Sequence, residues 1–198
     1  VLYFQLIRGN FKAFFKSEEL KWYLIAVFGA IAIIAVNIIP FNNGDVTRSI
    51  RDSAFQVASV VTTTGYATAD FNLWPTLSKM ILVMLMFMGA MAGSTGGGIK
   101  TVRIVIIIKA IRREIDKILH PRRVKSVKID GNVVEEETIS GVFIFIFAYI
   151  VIALIAIFII SFDNFDVTTT VTSVIATLSN IGPGLEMVGP TGNYAAFS

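Results

Sequence analysis

Two short segments around Gly65 and Gly182 carry residue types that can replace the water around a cation. Small and hydroxyl residues precede each glycine, and an acidic residue, Asp70 or Glu186, follows it. A cation that leaves water needs a ring of oxygens, which backbone carbonyls and threonine hydroxyls supply, and glycine lets the backbone turn its carbonyls inward. The pair of segments therefore favours an ion-coordinating filter, whereas an ordinary extracellular turn explains either segment taken alone. The two acids would concentrate cations if they face an outer vestibule and are otherwise surface charges.

A third segment, Gly89 to Gly98, reads GAMAGSTGGG and interrupts an apolar region that extends from Leu73 to Leu119. As one straight helix that region would be about 70 Å long, which is too long for a simple membrane crossing. Because glycine costs about 1 kcal/mol per helical position relative to alanine, the helix is expected to break there. Unwound backbone at membrane depth is tolerated only where protein surrounds it or where it lines a watery cavity. The sequence therefore predicts an irregular loop inside a membrane protein.

Enzymatic chemistry has few candidate residues in this chain. It contains no cysteine and a single histidine, His120, so a thiolate nucleophile and a cysteine-ligated metal are excluded. The run GSTGGGIK differs from a nucleotide-binding P-loop because Ile99 separates the last glycine from Lys100, and because an apolar helix rather than a strand precedes it. An intramembrane enzyme would also need paired titratable groups within its spans, and the two clearest spans contain none. We therefore expect that the chain is not an enzyme.

The three segments lie between stretches that can cross a membrane. Of the 198 residues, 55% are hydrophobic and only 16% are charged, whereas about 25% are charged in an ordinary soluble domain. A bilayer core about 30 Å thick needs about 20 apolar residues in a helix. The uncharged stretches Trp22 to Ile39 and Val142 to Ile160 meet that need. Buried core helices of a soluble protein are the alternative, but they would need polar partners that this chain does not carry.

Each clean span is followed by a stretch that is too short and too rich in threonine and serine to cross. These stretches run from Asp45 to Thr64 and from Asp166 to Ile181, and each begins with an aspartate placed to cap a short helix. The outline is a span, a re-entrant half-helix, an extended glycine-containing segment and a second span, written twice. A half-helix that ends at mid-membrane aims its negative dipole end at a cation. The predicted fold class is an all-α integral membrane protein made of such repeated units.

Lysine and arginine predict the orientation of the chain. Ten of them lie between Lys100 and Lys128, where only two acidic residues occur, and four more precede the first span. The positive-inside rule therefore places residues 100–140 and the N-terminal segment on the cytoplasmic side. We interpret residues 1–20 as an amphipathic interfacial approach to the first span rather than as a signal peptide. Basic residues beside apolar runs, with no aromatic platform among them, favour a membrane face over nucleic acid.

Three motifs together carry a family resemblance: TTTGYATADFNLWP (Thr62 to Pro75), AGSTGGGIK (Ala92 to Lys100) and ATLSNIGPGLEMVGPTGNY (Ala176 to Tyr194). They resemble the third and fourth repeats of the Trk/Ktr/HKT potassium transporters, and the HPRRVKSVKIDGNVV linker is most similar to TrkH-type bacterial subunits. The resemblance implies a potassium-channel-like fold of four span, pore-loop, span repeats around one pore, with one filter glycine from each repeat. Potassium would be the transported substrate, and no cofactor is implied.

The resemblance also implies a division of the chain and a set of site residues. The division is an approach segment (1–20), a third repeat whose second span is broken (21–119), a cytosolic linker (120–140) and a fourth repeat that stops before its second span (141–198). The implied filter residues, which bind potassium, are Thr63, Thr64, Gly65, Tyr66, Asn180, Ile181, Gly182 and Pro183. The implied gate loop, which obstructs the pore below the filter, contains Gly93, Ser94, Thr95, Gly96, Gly97, Gly98 and Lys100. Interfacial snorkelling is the alternative for Lys100, and satisfaction of helix backbone is the alternative for the hydroxyls of Thr62, Thr63, Thr64, Ser94 and Thr95.

The implied setting is the bacterial inner membrane, crossed several times. The expected partners are membrane lipid, the remaining repeats of the same subunit, a second copy in a homodimer, and a cytosolic TrkA-type nucleotide-binding regulatory subunit. That subunit would contact the basic face from Lys109 to Lys128, which the positive-inside signal alone also explains. The first repeat, whose filter residue helps to separate potassium from sodium, is not in this sequence. A secondary transporter of sodium or of a small solute stays an alternative, because it too uses broken helices at mid-membrane.

The predicted orientation can be tested with single cysteines in the full-length protein. Ser126→Cys should resist an impermeant thiol reagent in right-side-out cells because the basic segment is cytoplasmic, whereas Asn43→Cys should be labelled. Both variants should label in permeabilised cells, which controls for access to each thiol. The reverse pattern in intact cells would overturn the topology.

Overall fold

Residues 16–120 and 125–197 of the chain are described by a computed structural model, and they are mostly helical. Most of the predicted approach segment, residues 1–15, lies outside the described residues. So do residues 121–124, which include Arg122 and Arg123 of the basic linker. The predictions made for those positions stay predictions.

Six α-helices run through the described part of the chain. They are α1 (Glu18–Ile38), α2 (Val46–Val61), α3 (Thr76–Phe87), α4 (Thr101–Leu119), α5 (Glu136–Ile160) and α6 (Val167–Leu178). Three short 3-10 turns lie at Phe71–Leu73, Ser161–Asp163 and Glu186–Val188. Two-residue strands form two small ladders: β1 (Met88–Gly89) pairs in parallel with β2 (Ile99–Lys100), and β3 (Lys128–Ile129) pairs antiparallel with β4 (Asn132–Val133).

Helices α1 and α5 are long and apolar enough to cross a membrane. Both begin before the uncharged stretches seen in the sequence, because acidic residues in a first helical turn interact favourably with the positive end of the helix dipole. Those residues are Glu18 and Glu19 in α1 and Glu136 and Glu137 in α5. Only 6% of the most apolar stretch of α5 is buried, whereas a helix that is hydrophobic all round and soluble has to be buried. The structure therefore does not favour the core-helix alternative for α5.

The predicted aspartate caps of the two short helices are confirmed. The Asp45 carboxylate accepts a hydrogen bond from the Arg48 N–H at 2.9 Å, and the Asp166 carboxylate accepts one from the Thr169 N–H at 2.9 Å. Hydrogen bonds from Thr169, through its side chain first and its backbone second, lower the pKa of Asp166. Both helices bury polar side chains on one face, in α2 Ser49, Asp52, Ser53, Gln56 and Ser59, and in α6 Thr169, Thr170, Thr172 and Ser173.

The main hydrophobic core fixes α2 and α6 relative to the spans. It joins buried residues of α1, α2, α3 and α6 with Phe71 and Trp74, whose rings meet edge to face at 6.4 Å. Phe71 contributes a fully buried side chain from the 3-10 turn that follows the glycine segment. Because large buried rings contribute strongly to core stability, Phe71 anchors the segment that follows Gly65.

The charged ends of three helices meet at one end of the molecule. Lys109 of α4 pairs with Glu18 of α1, and Arg113 of α4 pairs with Glu136 of α5. The hydrogen bond with Glu136 is the largest cause of the raised pKa of Arg113. The β3–β4 turn joins the same group, because Asp130 accepts a hydrogen bond from the Glu18 N–H at 2.6 Å. The start of α1, the middle of α4 and the start of α5 therefore share one side, as the predicted cytoplasmic end requires.

Candidate functional site

Helices α2 and α6 end in the same backbone motif. After α2, the N–H of Thr63 donates to the Val60 carbonyl at 3.1 Å and the N–H of Thr64 donates to the Ser59 carbonyl at 2.9 Å. After α6, Asn180 donates to Thr177 at 3.0 Å and Ile181 donates to Ala176 at 2.9 Å. Both pairs form a Schellman motif, which satisfies carbonyls that a helix end leaves without partners.

Four residues at and just beyond these helix ends lie in the left-handed backbone region. Thr63 has φ +57° and Asn180 has φ +54°, and two residues later Gly65 has φ +78° and Gly182 has φ +113°. Glycine adopts these angles without steric cost, and asparagine is one of the side chains that tolerates them. Threonine is β-branched, so its presence there is an outlier that the surrounding structure has to impose.

The two glycine segments lie against each other. A Cβ added at Gly65 would lie 2.0 Å from the carbonyl oxygen of Ile181 and 3.3 Å from Cδ of Pro183. Glycine is therefore needed at position 65 for two reasons: the backbone has a positive φ, and the Ile181 carbonyl leaves no room for a Cβ. A Cβ added at Gly182 meets nothing within 4 Å in the described part of the chain. A side chain at Gly65 would therefore meet packed backbone, whereas one at Gly182 would meet none within the described residues.

Side chains of the chain itself engage two carbonyls of the predicted filter residues. The Ser59 hydroxyl donates to the Tyr66 carbonyl at 2.6 Å, and the Tyr194 hydroxyl donates to the Gly182 carbonyl at 2.5 Å. Within residues 16–120 and 125–197, no donor reaches five other carbonyls of these segments. These five belong to Thr63, Thr64, Gly65, Asn180 and Ile181.

Some of the hydroxyl groups considered as ion ligands have hydrogen-bond partners within the protein. The Thr62 hydroxyl donates to the Ala58 carbonyl at 2.7 Å, so Thr64 donates to Thr62 in their 2.7 Å contact. The Thr62 hydroxyl therefore satisfies a carbonyl at the end of α2, which was the alternative to ion binding for these hydroxyls. The Tyr66 side chain is 73% exposed.

The two acids that follow the glycines have local partners. The Asp70 carboxylate caps the 3-10 turn by accepting the Asn72 N–H at 3.0 Å. The Glu186 carboxylate forms an ion pair with Lys79 at 3.6 Å. Each carboxylate thus has a structural partner, and both interpretations of the two acids stay open.

The glycine-rich loop between α3 and α4 is closed at its neck. Helix α3 ends at Phe87, and β1 and β2 bring Gly89 beside Lys100. The Thr101 hydroxyl, which is buried, donates to the Gly89 carbonyl at 3.2 Å. Glycine is needed at the neck because a Cβ at Gly89 would lie 2.2 Å from the Gly97 carbonyl oxygen. The loop is therefore a defined structure at the break between two helices.

Residues Gly96 and Gly97 of this loop contact the ends of both short helices. A Cβ added at Gly97 would lie 2.1 Å from the carbonyl oxygen of Ser179, which directly follows α6. A Cβ added at Gly96 would lie 3.1 Å from the hydroxyl oxygen of Thr63, near the end of α2. The structure thus brings together the three motifs that the sequence singled out, although more than 110 residues separate the first from the last along the chain.

Two charged side chains hold the loop. The ammonium of Lys100 donates to the Ser94 carbonyl at 3.1 Å, to the Ser94 hydroxyl at 3.0 Å and to the Gly96 carbonyl. The Glu19 carboxylate accepts a hydrogen bond from the Ala92 N–H at 2.6 Å. Interfacial snorkelling therefore does not describe Lys100, since its charged group turns back onto the loop.

Sequence reasoning missed three residues that position the site. Ser59 donates a hydrogen bond to the Tyr66 carbonyl. Its position in the last turn of a helix, directly before a glycine segment, could have indicated this role. The Asn72 amide donates to the Glu186 carbonyl at 3.0 Å and accepts from the Glu186 N–H at 2.9 Å, which ties the two outer segments together. The Tyr149 hydroxyl of α5 lies 3.0 Å from the Ser179 hydroxyl. The last two contacts join distant parts of the chain and have no local sequence signal.

A resident metal site of the usual kind is absent from the described residues, since no three histidine, cysteine or acidic side chains group together there. The oxygens available at the site are uncharged carbonyls and hydroxyls. Such ligands suit a partly dehydrated monovalent cation in transit.

Comparison with known proteins gives a consistent result. The profile of the TrkH family, described as a cation transport protein, matches residues 6–194. The Trk system potassium uptake protein TrkH of Escherichia coli K12 is 32% identical over 190 residues, covering 94% of this chain and 39% of that protein. TrkG of the same strain, also a Trk system potassium uptake protein, is 30% identical over 182 residues and 92% of this chain.

A solved structure has the same fold. The crystal structure of the potassium transporter TrkH from Vibrio parahaemolyticus superposes with a TM-score of 0.82 at 26% sequence identity, covering 91% of this chain and 38% of that one. The chain therefore spans about two fifths of the length of the relatives it matches.

The contact between Gly65 and Ile181 predicts unequal effects of alanine at the glycines with positive φ. Gly44→Ala is a matched control, because Gly44 has φ +84° with nothing within 4 Å of its added Cβ. Backbone strain should cost Gly44→Ala and Gly182→Ala about 1–2 kcal/mol each, whereas Gly65→Ala should cost more because the Ile181 backbone has to move. Thermal unfolding of the purified full-length protein in detergent measures the difference. Equal losses at Gly44 and Gly65 would contradict the close approach.

Proposed function

Because this chain belongs to the TrkH family of cation transport proteins, we propose that it supplies two of the four repeats of a bacterial potassium-uptake subunit. In this proposal residues 21–119 are the third repeat and residues 141–198 are part of the fourth. The family transports ions and is not a family of enzymes. The observation that carries the proposal is the meeting of three segments: Gly65 lies against Ile181, and Gly97 lies against Ser179.

Helices α2 and α6 are the pore helices in this proposal. Tyr149, which contacts Ser179, lies near the middle of the 25-residue helix α5. Its position is about 20 Å from the Glu136 end and about 17 Å from the Ile160 end, at 1.5 Å per residue. The end of α6 is therefore near mid-membrane, where its negative dipole end stabilises a cation.

The segments that follow these helices form the selectivity filter. The proposed ion-binding residues are Thr63, Thr64, Gly65 and Tyr66, and Asn180, Ile181, Gly182 and Pro183. Support comes from the shared Schellman motif, from the matched positive φ values of the two glycines, and from the carbonyls that receive no donor from the described residues. Carbonyls that are not committed to a protein donor can replace the hydration shell of an ion. The carbonyls of Tyr66 and Gly182 have hydroxyl partners, and they contribute least.

The glycine-rich loop is the proposed gate. The gate consists of Gly93, Ser94, Thr95, Gly96, Gly97 and Gly98, with Lys100, and its residues Gly96 and Gly97 touch the ends of both pore helices. A barrier there blocks the path of an ion that leaves the filter. Glycines give such a loop the small volume and backbone freedom that it needs to sit under the filter and to move.

The partners follow from the charge distribution and the family. We propose that the whole subunit forms a homodimer in the bacterial inner membrane, with residues 100–140 in the cytoplasm. A cytosolic TrkA-type regulatory subunit is the proposed partner of the basic face between Lys109 and Lys128. Three cations of that face already pair with acids of this chain: Lys109 with Glu18, Arg113 with Glu136 and Lys125 with Asp116. The side chain of Arg112, which lines a cavity with them, offers the partner a further positive charge.

Uptake by the full-length subunit in a potassium-uptake-deficient bacterium tests the function. Potassium uptake should exceed that of the empty vector, and Gly182→Ser should lower the potassium-to-sodium uptake ratio roughly fivefold, the effect of about 1 kcal/mol lost at the ion. Gly44→Ser is the control at a glycine outside the site. An unaltered ratio in Gly182→Ser at normal abundance would place the ion path elsewhere. Uptake of sodium or of an uncharged solute alone would favour the secondary-transporter alternative.

The gate is tested by enlarging the loop where it is packed. Gly97→Ala places a methyl group against the Ser179 carbonyl, so the loop has to move away from the filter. Potassium uptake should then rise about threefold or more because the barrier is weakened, and deletion of Gly93–Gly98 should act in the same direction. Gly93→Ala is the control, since nothing lies within 4 Å of its added Cβ. Unchanged or lower uptake in a folded, inserted Gly97→Ala protein would leave helix packing as the role of the loop.

A further inference from the structure

The ammonium group of Lys100 occupies a cluster of uncharged oxygens. Its three N–H donors are all used, by the Ser94 carbonyl, the Ser94 hydroxyl and the Gly96 carbonyl. Lysine on a protein surface commonly pairs with a carboxylate, and its charge is then neutralised by its partner. Among the described residues, the Lys100 ammonium forms hydrogen bonds with neutral oxygens and no ion pair, as an ion is held in a carbonyl-lined site.

The same ligands suit a potassium ion. An ammonium group and a potassium ion carry one positive charge each and are similar in size, and both accept carbonyl and hydroxyl oxygens as ligands. The cluster also lies on the proposed path of the ion, because Gly96 lies beside the Thr63 hydroxyl at the end of α2. An ion that leaves the filter therefore meets oxygens that a protein cation already occupies.

Lys100 also connects the loop to a helix. It directly precedes α4, and its backbone pairs with Gly89 at the neck of the loop. Its side chain reaches over the loop to residues 94 and 96, so its ammonium group fixes the tip of the loop to the start of α4. Removal of that group from the oxygens frees the tip and leaves the neck in place.

We propose that Lys100 is a tethered cation that holds the glycine-rich loop closed, and that a potassium ion competes with its ammonium group for the oxygens of Ser94 and Gly96. This inference rests on the proposed function, since it takes the loop to lie on the path of potassium. When potassium takes the oxygens, the loop loses its link to α4, because the ion has no covalent connection to the helix. Lys100 is thus a positioning residue whose hold weakens as potassium rises.

Arg103 is a matched control for the charge of Lys100. It lies one turn further along α4, and its guanidinium stacks on the ring of Phe145 at 3.9 Å instead of reaching the loop. Arg103→Met removes the same charge from nearly the same place without removing a hydrogen bond to the loop. A general electrostatic effect at the inner mouth would appear in both variants, whereas a tether appears in Lys100→Met alone.

The mobility of the loop can be measured directly. The present sequence contributes no cysteine, so Thr95→Cys, which is exposed and lies between the two ligand residues, is the single reporter once any cysteine in the rest of the full-length protein has been replaced. The rate of modification by a small thiol reagent is measured on purified protein as potassium chloride replaces N-methyl-D-glucamine chloride at constant ionic strength. In the Lys100 background the rate should rise with potassium. In Lys100→Met it should be about tenfold higher without potassium, since loss of a hydrogen bond from a charged donor shifts an equilibrium by about that factor, and it should not depend on potassium.

The control variants distinguish a tether formed by the Lys100 hydrogen bonds from a general effect of positive charge. Arg103→Met should keep the slow, potassium-dependent rate, and Lys100→Arg should be intermediate, because a planar fork keeps the charge but does not match three converging oxygens. A slow rate in folded Lys100→Met would overturn the proposal, and so would an equal acceleration in Arg103→Met. Persistent potassium dependence in Lys100→Met would show that potassium acts at another place, which also overturns it.

The labelling experiment does not require transport, so it separates this proposal from the proposed function. If the full-length protein takes up no potassium but Lys100→Met frees the loop and abolishes its potassium response, the transport function fails and the tether stands. If uptake occurs and labelling of Lys100→Met matches the parent, the tether fails and the transport function stands.

Discussion

The constraint on which the structure depends is that irregular backbone at membrane depth has to have its polar groups satisfied within the protein. Each group left without a partner in an apolar layer costs several kcal/mol. Helices α2 and α6 meet this constraint at their C-terminal ends with a Schellman motif, and the segments that follow are held by hydroxyls of the helices themselves. Ser59 serves the Tyr66 carbonyl, and Thr172 accepts the Leu185 N–H at 2.9 Å. Within the described part of the chain, the carbonyls of Thr63, Thr64, Gly65, Asn180 and Ile181 receive no donor, and in the proposed filter an ion would complete their coordination.

Glycine acts in two physically different ways at this site. At Gly182 it provides a positive φ in open space, so a side chain there would meet strain but no neighbour within the described residues. At Gly65, Gly89 and Gly97 the missing Cβ makes room for a carbonyl oxygen of another segment. Close approach of this kind brings the glycine-rich loop and the segments around Gly65 and Gly182 into contact with each other. The glycines at which an added Cβ would clash are therefore the ones where the three motifs meet.

Much of the local structure could be predicted from the sequence, because its causes are local. The aspartate caps, the interruption of the helix at the glycine-rich run and the positive φ of Gly65 and Gly182 follow from the preferences of single residues. The left-handed Thr63 could not be predicted, since threonine disfavours that conformation and tertiary packing imposes it. The link from Asn72 to Glu186 and the position of the Lys100 ammonium depend on segments meeting in space. The sequence left open whether Asp70 and Glu186 face an outer vestibule, and their partners, a 3-10 turn and Lys79, have no local sequence signal.

The two short helices α2 and α6 differ in length. Helix α2 has 16 residues and α6 has 12, a difference of about one turn, or about 6 Å. Their C-terminal ends share dihedral angles, hydrogen bonds and contacts with the glycine-rich loop, so the extra turn extends from the other, aspartate-capped end of α2. There α2 buries Asp52, which is 4% exposed and pairs with Arg48 and Arg51 of the same helix. The geometry is thus matched at the ends that face the glycines and free to diverge at the ends that face away, which is the pattern expected if coordination of one ion constrains both helices.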